Sequence, residues 1–264
     1  MKSHRRSLSF FKSVASAAGV PAFLFAAAAL GVSAVPARAA NVAVYDRENN
    51  LVASGDSLDA VKSAIANDAT VVLSGDAAAS GSLLQVPVPT IPISFWLTVK
   101  SAETGVQKTC ENTADAYLFL NTSSGQKFSL QVRDVVFSGG SGIIRSQWDV
   151  LVDALNSTFS GNSTESSGGA IYSSGNVEFA ETLTSQLETS RGTVTFTGNT
   201  ANGAPNDVYA GGNVAIFDQR RPYSFDGGIV AKGDFDVSSS RTSLSGATRL
   251  TASRKKRRFP QALR

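Results

Sequence analysis

Twice in its 264 residues the chain writes Phe-x-Gly-Asn, at Phe159-Ser160-Gly161-Asn162 and at Phe196-Thr197-Gly198-Asn199, with Gly168-Gly169-Ala170-Ile171 between them. The combination points to a stacked repeat and away from a single catalytic pocket. Thr158-Phe159 and Thr193-Val194-Thr195-Phe196 are β-branched or aromatic and suit a half-buried pleated surface. Gly and Asn follow at once, and both tolerate the positive φ of a tight corner. Such strand-and-corner units can stack so that each Phe lies on the next and Asn side chains form ladders. An ordinary hairpin array in a sandwich is the competing arrangement.

Spacing sharpens the expectation. Phe137-Ser138-Gly139-Gly140 has Gly in place of the Asn, and Phe137 to Phe159 is 22 positions, a reasonable coil of three short strands and three turns. Phe159 to Phe196 is 37, neither one such coil nor two. One coil with an inserted loop accounts for it, and the Glu/Thr/Ser/Gln-rich stretch Ala180 to Arg191 is the natural insert. Short apolar units between Gly-rich corners continue from Val208 to Val237: Asp207 to Tyr209, Asn213 to Ile216, Tyr223 to Phe225, Gly228 to Val230 and Asp234 to Val237.

Ahead of the repeats, Val42, Val44, Leu51 and Val52 mark an opening strand with a turn. Ser57 to Asn67 reads as a helix, with Leu58, Val61 and Ile65 on one face and Asp56 or Ser57 as its cap. Ala69 to Leu73 is a β-branched strand. A small helix before the first full strand is what a β-solenoid needs to cover its first coil, although an ordinary helix of an α+β domain would read alike. Val86-Pro87-Val88-Pro89 is expected at an edge or in a crossing loop, because proline cannot donate to a central ladder. Ile93 to Val99, Tyr117 to Leu120, Phe128 to Phe137 and Asp149 to Ala154 are further strand candidates.

The formal net charge of +3 hides a segregation. Residues 1–39 carry five basic side chains and no acid, and residues 249–264 carry seven and no acid. What remains in residues 40–248 is 12 basic against 21 acidic side chains, a net charge of −9. Nucleic-acid binding by that body is disfavoured, since phosphate neutralisation needs a basic patch. Residues 1–39 read as a secretory signal peptide: a basic start, an apolar run from Val20 to Val32, and small residues at Ala37 and Ala39, with cleavage after Ala39 or Ala40. Residues 40–248 then form one β-helix domain, and 249–264 a basic, disordered tail. Cys110 is the only cysteine, so no internal disulfide exists, and His4 is the only histidine.

With Phe159, Asn162, Gly168, Gly169, Ala170, Ile171, Phe196 and Asn199 in hand, the chain resembles the passenger of an autotransporter adhesin. The nearest family is the polymorphic outer-membrane proteins, whose repeats pair Gly-Gly-Ala-Ile with Phe-x-x-Asn; the specific likeness covers roughly residues 135–235. The resemblance implies an all-β, right-handed parallel β-helix, here with a short N-terminal capping helix, displayed at a cell surface. It also implies motifs that hold the coil and are not catalytic. Such proteins usually end in an outer-membrane β-barrel, for which these residues leave no room. The expectation is therefore a module that is exported, is a piece of a longer autotransporter, or is held at the outer membrane only by a barrel supplied elsewhere.

Chemistry is sparse. Without histidine in the exported part, histidine-based triads and metal clusters are excluded. No phosphate-cradling Gly-rich loop is followed by Lys-Ser/Thr. Acid pairs remain: Asp234 with Asp236, two apart on one strand, and Asp149 with Asp153, four apart. They would matter for the alternative function, a polysaccharide lyase or glycoside hydrolase on a β-helix, if they converged with a further charged group in a groove. Asn121, Asn156 and Asn162 open glycosylation triplets that a bacterial-type signal would leave unused. The reading is a non-catalytic, adhesin-like surface module with no cofactor, whose partner is a surface ligand such as a host protein or glycan.

Overall fold

The computed structural model describes residues 40–86, 94–181, 192–217, 221–238 and 242–244. Within them the chain winds through three sheets in strict rotation, each strand pairing in parallel with its counterpart one coil away. The first sheet stacks Ala69–Leu73, Phe95–Ser101, Phe128–Arg133, Val150–Leu155, Val177–Phe179, Val214–Ile216 and Phe235–Val237. The second stacks Ala77–Ala79, Lys108–Asn112, Val135–Ser138, Ser157–Ser160, Val194–Thr197, Tyr223–Phe225 and Ser243–Leu244. The third stacks Leu84–Val86, Tyr117–Asn121, Gly142–Ser146, Ile171–Ser173, Val208–Ala210 and Ile229–Ala231. This is a parallel β-helix, and strand–crossover–parallel-strand connections of this kind run right-handed.

Alternation along each strand explains why so short a strand suffices. In Val194–Thr197, Val194 and Phe196 are buried while Thr195 and Thr197 are partly exposed. Inward residues join those of the coils above and below in one continuous apolar core. The second sheet shows the column most clearly: Ala77, Cys110, Phe137, Phe159, Phe196, Phe225 and Leu244 are in-register neighbours. The Phe159 and Phe196 rings lie 4.5 Å apart and 4° from parallel, and Phe196 and Phe225 follow at 4.7 Å. Cys110 is buried in this column, and burial pushes its thiol pKa well above the ordinary value.

The opening of the solenoid is covered as the sequence suggests, but by more than a helix. Val42–Tyr45 and Leu51–Gly55 form a hairpin, and the first of these pairs antiparallel with Ala69–Leu73. The helix is Leu58–Val61 extended by a 3-10 turn, Lys62–Ala64, and buries Leu58 and Val61. Ser57, not Asp56, caps it, its hydroxyl accepting from the Ala60 amide. It stops short of the expected Asn67 because the residues after it are committed elsewhere. The Asn67 side chain accepts from the Trp96 amide, and the Asp68 amide donates to the Trp96 carbonyl, so this stretch is tied to the second coil.

Coil length is divided unevenly. From the third sheet to the first, the step between in-register core residues is eight positions four times over: Ile144 to Val152, Ile171 to Phe179, Val208 to Ile216 and Ile229 to Val237. In these coils the other two arcs absorb the variation, whereas in the two earlier coils the same step is 13 and 11 positions, Leu84 to Leu97 and Phe119 to Leu130. Phe159 and Phe196 are direct neighbours, so the 37-residue spacing is one coil. Ten of its fifteen extra residues fall between Phe179 and Phe196, where the expected insert largely lies outside the described residues. The other five belong to the loop after Phe159, which sequence spacing did not separate. The expected strand Phe128 to Phe137 is in fact two strands of different sheets, broken at Asp134, whose φ is 57°. No glycine marks that corner. The Pro87–Pro89 crossing and the basic tail from 249 to 264 lie outside the described residues.

Candidate functional site

The Phe-x-Gly-Asn corner joins the second sheet to the third. Phe159 and Phe196 point inward, and Gly161 and Gly198 turn the chain with φ of 63° and 64°. The buried Asn162 and Asn199 then bond directly: Asn162 Nδ2 donates to Asn199 Oδ1 at 2.7 Å, and Asn199 Nδ2 donates to the Phe159 carbonyl and to Asp207 Oδ1. Each side-chain amide thus replaces a backbone partner that the turning chain cannot reach. Phe137-Ser138-Gly139-Gly140 occupies the same corner one coil earlier, and Phe225-Asp226-Gly227-Gly228 one coil later. That last copy is legible in the sequence as Phe-x-Gly-Gly once Phe137-x-Gly-Gly is admitted; spacing alone marks Gly227-Gly228 as a Gly-rich corner without linking it to the repeat.

Each residue of Gly168-Gly169-Ala170-Ile171 has a separate reason. Gly168 has φ of 74°, and a Cβ there would meet the Ile171 carbonyl oxygen. Gly169 is crossed closely by the next coil: an added Cβ would sit 2.6 Å from the Asn206 carbonyl oxygen and 2.7 Å from the Thr200 amide nitrogen. Ala170 is fully buried, its amide donating to the Asp207 carbonyl, and Ile171 enters the core column of the third sheet. Asp207 follows Ala170 at the same corner, and burial raises its carboxyl to about 6 despite hydrogen bonds from Asn199 and Gly227; the nearby Asp226 charge adds to the rise.

Outside these corners, the loops form a small patch of their own. Ser163–Thr164 pairs with Thr200–Ala201, which pairs back with Ala204–Pro205. An open cleft of about 590 Å³ lies beside them, lined among others by Asp115, Gly140, Gly161, Ser163, Glu165 and Asn202. Asp115 accepts from the Ser141 hydroxyl. The cleft is polar and open, with hydroxyls, carboxylates and a carboxamide in reach of a hydrogen-bonding partner. Among the described residues, no group of three or more His, Cys, Asp or Glu could hold a metal ion.

The candidate acids have different surroundings. Asp234 and Asp236 are both exposed, and neither carboxylate bonds to another described residue. Asp234 instead ends a corner column that sequence reading missed. Asp149 Oδ1 accepts from the Asn176 amide, Asn176 Oδ1 from Asn213, and Asn213 Oδ1 from Asp234, at 2.7–2.8 Å. Asp153 faces away from the core but is fully buried, shared by the guanidinium groups of Arg133 at 3.1 Å and Arg221 at 2.6 Å. Of the glycosylation triplets, Asn121 and Asn162 are buried. Ala37 and Ala39 lie outside the described residues, which begin at Ala40.

The stretch from Asn156 through the third-sheet strand Ile171–Ser173 carries the family comparison. Residues 156–174 match the Chlamydia polymorphic membrane protein repeat. The match takes in Phe159, Asn162 and Gly168 to Ile171, and stops before the second Phe-x-Gly-Asn. No curated protein and no solved structure matches the chain. Among the described residues no helix is long and apolar enough to cross a membrane.

Proposed function

We propose that the protein is an exported, surface-displayed β-helix of the polymorphic membrane protein kind, which acts by binding a host or surface ligand and not by catalysis. The observation that carries the reading is the match of residues 156–174 to that repeat, in the stretch that forms the polar loop patch beside the second-to-third-sheet corners. Asp234 and Asp236 are exposed, and among the described residues neither carboxylate forms a hydrogen bond or ion pair, which favours binding over polysaccharide cleavage. The acidic body and the hydroxyl- and amide-rich loops suit a hydrogen-bonding partner, a protein or a glycan, more than nucleic acid.

The reading is tested with beads coated with the full chain and applied to host-cell monolayers. Adherence above uncoated beads, reduced several-fold by Glu165→Ala with Asn202→Ala, is the expected result. Adherence equal to uncoated beads would sink it. So would the release of new reducing ends, or of unsaturated sugars, from polysaccharides incubated with the protein.

A further inference from the structure

The outward faces of the second and third sheets are built differently. On the second sheet, one in-register column reads Thr109, Val136, Thr158, Thr195, Ser224 and Ser243. The corresponding column on the third reads Leu120, Arg145, Tyr172, Tyr209 and Val230. Two of the chain's five tyrosines, Tyr172 and Tyr209, stand in this one column, and a third, Tyr117, is buried beside Arg145. Since serine and threonine serve the same geometric place next door, the fold alone does not require them.

We propose that this face is a saccharide-binding track, on which Tyr172, Tyr209 and Arg145 hold an extended β-linked glycan lying along the solenoid axis. The Tyr172 and Tyr209 rings are partly exposed, 5.2 Å apart and 2° from parallel. Parallel rings stack offset and Arg145 covers part of the Tyr172 ring, so what stays open to the C–H groups of a pyranose is the partly exposed outer margin of both rings. Their step is set by the strand spacing of a sheet, about 4.8 Å, close to the rise of one sugar in an extended β-1,4-linked chain. Successive coils therefore meet successive sugars.

Arg145 continues the row and is already held in place. Its guanidinium lies 4.9 Å from the Tyr172 ring centre and 5.5 Å from that of Tyr117, and Nη1 reaches Ser166 Oγ at 3.5 Å. A cation fixed between two rings loses little freedom on binding, and its remaining donors suit sugar hydroxyls or a uronate carboxylate. Gln147 and Ser174, both exposed and bonded to each other at 3.2 Å, add an amide and a hydroxyl at one edge. The proposal deepens the binding reading above and rests on it for display at a surface, but the track is read by isolated polysaccharide and not by cell adherence, so either can fail alone.

The test is native gel electrophoresis of the full chain in gels containing hydroxyethyl cellulose, a neutral polymer, or hyaluronan, an acidic one. Retardation in at least one gel is expected, weakened tenfold or more by Tyr172→Thr with Tyr209→Thr and preserved by Tyr172→Phe. Threonine keeps the strand propensity of the site, and an unchanged melting temperature shows that the fold is intact. Retardation in hyaluronan that Arg145→Gln removes assigns an acidic sugar, whereas retardation in hydroxyethyl cellulose that survives it assigns a neutral one. A parent chain that runs freely in both gels, or a double variant retarded like the parent, overturns the proposal.

Discussion

One added methyl group separates two kinds of glycine in the repeat. At Gly169 it would press on backbone atoms of the next coil, whereas at Gly161 nothing lies within 4 Å and only the φ of 63° objects. Gly169→Ala should therefore cost about 1–3 kcal/mol by overpacking and Gly161→Ala about 1–2 kcal/mol by backbone strain. The two differ in kind: Gly161→Asn, a residue at ease with positive φ, should recover most of the loss, and Gly169→Asn none, as thermal melts will report. Asp207 makes a prediction in pH. Its folded carboxyl titrates near 6, above the roughly 3.9 of an unfolded aspartate, so the folded state holds the extra proton between those values. The contribution of Asp207 to stability should be greatest below about pH 4, fall on the order of 2–3 kcal/mol as pH rises to about 6, and then level. In Asp207→Asn that slope should vanish from denaturant titrations run across the window; a slope equal to the parent's would refute the assignment.

Among the elements, the Phe column and the corner columns differ in how much of them the sequence displays. The column at Phe159 and Phe196 is visible because both residues carry the same Gly-Asn corner. Phe196→Ala, opening a hole between two stacked rings, should cost about 3–5 kcal/mol, measurable as a shift in denaturant midpoint at unchanged slope. The Asp149–Asn176–Asn213–Asp234 column is equally regular in space but stayed hidden. Its members are 27, 37 and 21 positions apart, because the arcs between them vary in length. The same irregularity made Asp234 look like half of an acid pair. Corners at Asp134 and Asn156 escaped notice for another reason. Aspartate and asparagine adopt the turn there without glycine, and Asn156 Nδ2 donates to Asp134 Oδ1 at 2.7 Å. The buried Asp153 was unreadable too, since its partner Arg221 stands 68 residues away. Removing that shared carboxylate with Asp153→Ala should cost about 3–5 kcal/mol, far more than the loss of an exposed acid such as Asp236.

For the described solenoid as a whole, nearly all pairing is between one coil and the next, so stability is close to a sum of local terms and damage should stay local. Cys110 makes this testable, being buried in the second coil near the hairpin-and-helix cover. Leu58→Ser should speed its reaction with a thiol reagent, while amides of Val194–Thr197, three coils on, keep their hydrogen-exchange protection. Equal loss of protection at both places would indicate a single cooperative unit. The uneven division of coil length carries a consequence of another sort. Four successive passages from the third sheet to the first are held at eight positions, pinned by the Asx column, while the arcs on either side stretch freely. Variation by insertion can then accumulate on two edges of the molecule without disturbing the third. A peptide epitope grafted after the exposed Glu165 or Gly203 should be tolerated, and the same graft after Gly175 should not.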